Sequence, residues 1–220
     1  MTLDFERDGA AHLAGAAAPF LAMLHALVEA LPTDRAGLRL HGVAGLGELL
    51  ANDALGAPAA TWLGRAARPV RAILFDKSPT TNWALGWHQD RTIAVRERIE
   101  VPGYGPWSSK QGLRHVEPPF AIIETMVTLR IHLDSVPAEN APLLVAPGSH
   151  RLGRVAEAAV AAAVARCGTA TCLAEAGDIW AYATPILHAS AASSAGGHRR
   201  VLQVDYTTVA LPGGLEWLGI

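Results

Sequence analysis

The sequence predicts an α+β domain whose core is a double-sheet jelly roll, with an N-terminal helical layer packed on one sheet. Three observations carry this. Apolar residues at helical spacing are confined to the early part of the chain. From Pro69 onward the pattern changes to short runs rich in β-branched residues, punctuated by Gly and Pro. The best of these runs, Ile122–Asp134, alternates Thr125, Val127, Leu129 and Ile131 with Met126, Thr128, Arg130 and His132.

The 220 residues suit one domain, with a helical layer at about 11–66 and a jelly-roll core at about 69–209. At 50% hydrophobic residues the chain has ample material for a core. A formal charge of −2 excludes the electrostatic footprint of a nucleic-acid or anionic-membrane partner. Cys167 and Cys172 belong to no ligand-spaced pattern and fit buried thiols in a reducing compartment. The opening residues are charged where a signal peptide would turn apolar, and no run is long enough to span a membrane. A cytoplasmic protein is expected, and nothing specifies its oligomeric state.

In chain order, residues 11–31 place Phe20, Leu21, Leu24, Leu27, Val28 and Leu31 at helical spacing, and Pro32 ends the run. Further helical patches run through Leu46, Leu49, Leu50 and Leu55, then through residues 59–63. Their alanines suit close packing and helix propensity rather than chemistry. Strand character begins at residues 69–75 and returns at 83–90. From Thr92 to Pro119, Gly and Pro break the pattern at Pro102-Gly103, Gly105-Pro106, Gly112 and Pro118-Pro119. So long an irregular stretch reads as a lid over a site rather than a disordered insert, because Tyr104, Trp107 and Val116 give it something to bury. After Ile122–Asp134 come a short strand at 143–146, a surface helix at about 155–165, and strands at 171–173, 178–183, 186–189 and 199–209.

The chemistry-bearing motif is Trp87-His88-Gln89-Asp90. On a strand, residues i and i+2 share a face, so His88 and Asp90 offer an imidazole and a carboxylate to one point. His188 supplies a second imidazole, and two His with one carboxylate is the ligand set of non-haem Fe(II) oxygenases. Eleven residues after His188 stands Arg199, a fixed cation suited to gripping a carboxylate with two hydrogen bonds. Two other H-x-[DE] pairs compete. His115/Glu117 lies in the irregular stretch, a poor frame for ligands. His132/Asp134 ends a good strand, but Asp134 heads a turn-rich run that it suits as a turn cap.

These residues, together with residues 133–150 (Leu133-Asp134-Ser135, Asn140-Ala141-Pro142-Leu143 and Pro147-Gly148-Ser149-His150), Ala176-Gly177-Asp178 and Arg199-Arg200, come in an order that resembles the phytanoyl-CoA dioxygenase-like proteins. The resemblance runs from roughly Arg71 to Tyr206, and Phe5–Gly9 also looks like the family's opening. One departure is Asn140-Ala141, where the family has Asn-Gly, which puts the turn geometry in question.

The resemblance implies a double-stranded β-helix (cupin-like) fold using Fe(II), 2-oxoglutarate and dioxygen, with decarboxylation to succinate and hydroxylation of a small-molecule substrate. It carries His88, Asp90 and His188 over as iron ligands and Arg199 as the 2-oxoglutarate arginine, with Arg200 as competitor. His150 falls in the family's Pro-Gly-Ser-His turn, where a hydrogen-bonded turn histidine is expected. Ser190, on the face of His188, is a candidate for the cosubstrate carboxylate, and Lys77 and Asn82 for its other end. Retention of Asp90 favours hydroxylation over halogenation, since related halogenases lack that carboxylate. Trp83, Arg91 and Trp107 are candidate substrate contacts, in a cationic and aromatic wall suited to a small polar or anionic metabolite. A solvated loop is the alternative for that wall. Two rival classes stand beside this one: a cupin-like divalent-metal protein with a non-oxidative reaction, and a non-catalytic binding module on the same scaffold.

Overall fold

The structure is a computed structural model that describes residues 2–32, 35, 37–194 and 197–220. Its strands are β1 (Ala10–Leu13), β2 (Gly37–Leu40), β3 (Arg68–Lys77), β4 (Leu85–His88), β5 (Ile93–Val95), β6 (Trp107–Lys110), β7 (Leu113–Val116), β8 (Val127–His132), β9 (Leu143–Val145), β10 (Ala170–Cys172), β11 (Ile179–Ala183), β12 (His188–Ser190) and β13 (Arg199–Thr207). Its α-helices are α1 (Phe5–Asp8), α2 (Leu21–Glu29), α3 (Leu46–Leu49), α4 (Ala57–Leu63), α5 (Phe120–Glu124) and α6 (Val160–Cys167).

Two antiparallel sheets make the jelly roll. The larger has the order β1-β11-β8-β13-β3-β2, and the smaller β10-β9-β12-β4. Alternation on the central strands assigns their two faces. Leu202, Val204 and Tyr206 of β13 and Ala72 and Leu74 of β3 pack with Leu24, Val28, Leu46, Leu50 and Ala59 of the helical layer. The Tyr206 hydroxyl reaches through that layer and donates to Leu50 O at 3.0 Å. Each such leucine stabilises the layer by about 1.5–3 kcal/mol through apolar burial. The opposite face looks toward the small sheet. At one end the gap is filled by an apolar cluster containing Leu143, Val145, Trp180 and Tyr182. At the other end the inward side chains are polar, and a cavity is left.

Several elements differ from the sequence reading. The expected helix over 11–31 is shorter: Ala10–Leu13 is an edge strand paired with β11, and α2 begins only at Leu21. Alanine carries no side-chain argument against a strand, and pairing with a distant partner outweighs its helix propensity. β2 is a further strand inside the expected helical stretch. Ile122–Asp134 is not one strand, because Phe120–Glu124 closes a helical turn before β8 starts at Val127.

The stretch from Thr92 to Pro119 is irregular only in part, over residues 96–106. β5, β7 and β6 form a three-stranded antiparallel sheet. Gly112, read as a breaker, is half of the hairpin turn: Gln111 and Gly112 both have positive φ, at 55° and 79°. That pair of conformations matches the twist of a two-residue hairpin. Under this sheet Tyr104, Ile93, Val95, Val116 and Trp217 form their own apolar cluster. Among the described residues, no helix is long and apolar enough to cross a membrane.

Candidate metal centre and its pocket

β4 and β12 are hydrogen-bonded neighbours whose register sets His88 opposite His188. Directly opposed residues in a sheet lie within side-chain reach of one another, and here the two imidazole centroids are 4.3 Å apart. Asp90 follows just past the end of β4, and one ligand atom from each of His88, Asp90 and His188 lies within 4.8 Å of the others. Between them Gln89 points the other way and is buried. It donates to Gly153 O at 2.9 Å and Pro185 O at 2.7 Å, and accepts from Val155 N at 2.9 Å. Three bonds on the intervening residue fix the backbone that aims His88 and Asp90.

The protonation states suit a cation. His88 Nδ1 sits 2.8 Å from Gly86 O, and His188 Nδ1 3.0 Å from Ile186 O. A carbonyl only accepts, so each Nδ1 carries a hydrogen, and Nε2 is the ring nitrogen left to meet a metal. Burial first, then the neighbouring His88, lowers the His188 pKa to about 4, so the ring is neutral at pH 7. Burial pushes the Asp90 carboxyl up, but Arg71, His188 and His88 together override it and hold the group at about 2. Arg71 Nη2 approaches Asp90 Oδ2 at 3.5 Å, and Gln203 Nε2 donates to it at 3.3 Å. Arg71 is itself fixed by Asp205 at 2.5 Å.

The centre opens into a cavity of about 370 Å³ lined from both sheets, a volume suited to small molecules. Arg199 is 1% exposed and lines it. Its Nε and Nη2 are buried without a hydrogen-bond partner. Burial and then Arg130 lower its proton affinity, to about 9. Arg200 faces the other way, where Asp134 takes its Nε at 2.9 Å, its Nη2 at 2.7 Å and its backbone N at 2.7 Å. Lys77 Nζ donates to Ser190 Oγ at 2.9 Å and to Ala191 O. Burial, then Arg199 and Arg130, bring it down to about 7.

The remaining sequence candidates divide. Trp83 and Arg91 line the cavity; the Trp83 ring lies 5.0 Å from Lys77 Nζ, and Arg91 Nη2 donates to Val155 O at 2.6 Å. Asn82 is not in the lining. Its amide exchanges two 2.8 Å hydrogen bonds with the backbone of Ser193 and joins two loops. Trp107 also lies outside, packed in the cluster beneath the three-stranded sheet with Arg98 5.4 Å from its ring.

Neither rival pair converges. His132 is buried with both ring nitrogens unpartnered, while Asp134 holds Arg200 rather than capping a turn. His115 points inward, and Glu117 pairs with Arg154 at 2.8 Å. His150 is not the hydrogen-bonded turn histidine expected, for its Nδ1 is buried without a partner. Residues missing from the sequence reading are Arg39, Arg71, Arg130 and Gln203, all in the lining. Alternation from Lys77 back to Arg71, and from Arg199 to Gln203, was the signal available for two of them.

A jelly roll with two histidines and a carboxylate at the mouth of a basic cavity is the architecture of a metal-dependent oxygenase fold. Residues 5–201 match phytanoyl-CoA dioxygenase (PhyH), and the chain belongs to that family. No curated protein sequence matches it.

Among solved structures, AviO1 from Streptomyces viridochromogenes Tue57 is 23% identical, with a TM-score of 0.65 over 97% of this chain and 99% of its own. EctD from S. alaskensis, in its apoform, is 16% identical with a TM-score of 0.66, covering 98% and 78%. HygX from Streptomyces hygroscopicus, with nickel and 2-oxoglutarate bound, is 15% identical with a TM-score of 0.62, covering 92% and 84%. EvdMO1, at 19% identity and a TM-score of 0.65, matches over 95% of this chain, which spans only 49% of EvdMO1. At these identities the likeness establishes the fold.

Proposed function

We propose that the protein is an Fe(II)- and 2-oxoglutarate-dependent oxygenase that hydroxylates a small polar or anionic molecule. The observation that carries this is Arg199: a buried guanidinium with two unpartnered nitrogens, Nε and Nη2, shares one cavity with the His88, Asp90 and His188 donors. An unpaired buried cation is costly unless an anion completes it. A metal protein with a non-oxidative reaction needs no clamp for a 2-oxo acid.

In this reading His88, Asp90 and His188 hold the iron, which when bound supplies the oxidising chemistry with dioxygen and the 2-oxo acid. The side chains do the rest. Arg199 takes the distal carboxylate of 2-oxoglutarate, and Lys77 and Ser190 lie beside it. Arg71 and Gln203 fix the orientation of Asp90, and Gln89 keeps the segment from shifting. Relatives with the same fold include an epimerase, SnoN, and a carbocyclase, SnoK, so hydroxylation is to be checked on products.

The test is anaerobic titration of Fe(II) and 2-oxoglutarate, following the visible charge-transfer absorption of the chelate. The band should form in the wild type and vanish in His88→Ala, Asp90→Ala and His188→Ala, but persist in His132→Ala. No band in the wild type, or loss only in His132→Ala, would refute the assignment.

A further inference from the structure

The Arg199 end of the cavity has an occupant in the reading above; the other end has cations and none. Arg39 of β2 and Lys110 of β6 face the cavity from two different sheets. They are held in place by Gln111, whose Nε2 donates to Gly37 O at 2.6 Å and whose Oε1 accepts from Arg39 N at 2.9 Å. Arg39 Nε is buried without a hydrogen-bond partner. Among the described residues, Lys110 Nζ finds only the Thr92 hydroxyl, at 3.3 Å. Behind them His115 is fully buried, with its Nε2 unpartnered. Arg71 is already engaged by Asp205 and Asp90.

Charge balance sharpens the point. Seven lysine or arginine side chains line the cavity against one carboxylate, Asp90. A divalent metal would add positive charge, and a 2-oxoglutarate dianion would offset only two of the cations. The surplus is felt: burial and then Arg71 lower the proton affinity of Arg39, and burial, Arg71 and Arg39 lower that of Lys110. Along β3, Arg39 is level with Ile73 and Arg199 with Lys77. Four residues of strand separate the two levels by roughly 13 Å, so one small dianion does not serve both.

We propose that Arg39 and Lys110 form a second anion subsite, which takes a carboxylate or phosphoryl group of the substrate while 2-oxoglutarate occupies the Arg199 end. The word substrate rests on the oxygenase reading; the anion site does not.

The test is calorimetric titration with inorganic phosphate in one arm and acetate in the other. It is run on anaerobic protein saturated with Fe(II) and 2-oxoglutarate, and again on metal-free protein with 2-oxoglutarate. The wild type should bind at least one anion saturably. Binding should weaken tenfold or more in Arg39→Met and in Lys110→Met, stay unchanged in Arg166→Met, and return in Lys110→Arg. The arm that binds tighter assigns the group as phosphoryl or carboxylate. No saturable binding in the wild type, or equal binding in the methionine variants, overturns the subsite. The charge-transfer band on the same samples reports on the other reading. If the band is absent, the oxygenase assignment fails while the metal-free titration still decides the subsite; if the band persists over flat titrations, only the subsite fails.

Discussion

Adjacent arginines on one strand have opposite fates here, and the difference is testable. Arg199 lines the cavity with Nε and Nη2 unpartnered, while Arg200 is held by Asp134 through Nε and Nη2 on the other face. Arg199→Ala should weaken 2-oxoglutarate binding by roughly 2–5 kcal/mol, the range for truncating a buried charge partner. Arg200→Ala should leave that affinity alone and cost about 1 kcal/mol of stability, as befits a half-exposed pair. Equal effects on affinity would mean the strand is turned. One residue departs from the pattern of the family that the chain resembles. Ala141 stands where glycine is usual and has φ +50°, a conformation costing an L-residue about 1–2 kcal/mol. Ala141→Gly should relieve that, less the extra freedom glycine brings to the unfolded chain. The net expectation is about 0.5–1 kcal/mol of added stability by urea unfolding; a loss would show that the methyl group's burial outweighs the strain.

At the level of elements, the pairing of β4 with β12 makes the metal centre, because a one-residue slip would send His88 or His188 to the opposite face. This is why the pair was legible in the sequence: His88 and Asp90 follow from the i, i+2 periodicity of a strand, while His188 was singled out by the family resemblance. The helical layer and the β13 faces were legible for the same reason. The three-stranded sheet was not, since Gly112 is a breaker in a list of residues and a hairpin turn only once Lys110 pairs with Leu113. Trp107 was misplaced with it. Arg39, Arg71 and Arg130 come from strands far apart in the chain, and only the pairings of β3 with β2 and β13, and of β13 with β8, bring them to one wall. That small sheet is joined to β2 through the two Gln111 bonds. Gln111→Ala should cost about 1–2 kcal/mol and raise amide exchange over residues 107–116. Unchanged exchange there would mean that the apolar cluster beneath holds the sheet unaided.

Across the whole molecule, buried histidines tie folding to pH. His132 and His115 are both fully buried. Burial first, then nearby cations, brings His132 to about 3 and His115 to about 4. An unfolded histidine titrates near 6.5, so between there and the folded values the unfolded chain binds more protons and stability rises with pH. Acidification therefore destabilises the fold from about pH 6.5 downward, and the penalty is complete only below pH 3–4. Asp90 acts in the same direction lower down: its contribution is present above pH 3.8 and is lost as pH falls through about 2. From pH 6.5 to 5 each buried histidine should cost about 2 kcal/mol, at 1.36 kcal/mol per pH unit. Urea unfolding of metal-free protein at these two pH values should show that loss. His132→Leu should reduce it by about 2 kcal/mol, because it removes a buried base whose two ring nitrogens have no partner. A leucine variant with the same acid slope as the wild type would mean that His132 takes up its proton without unfolding, and that water or an anion reaches it between the sheets.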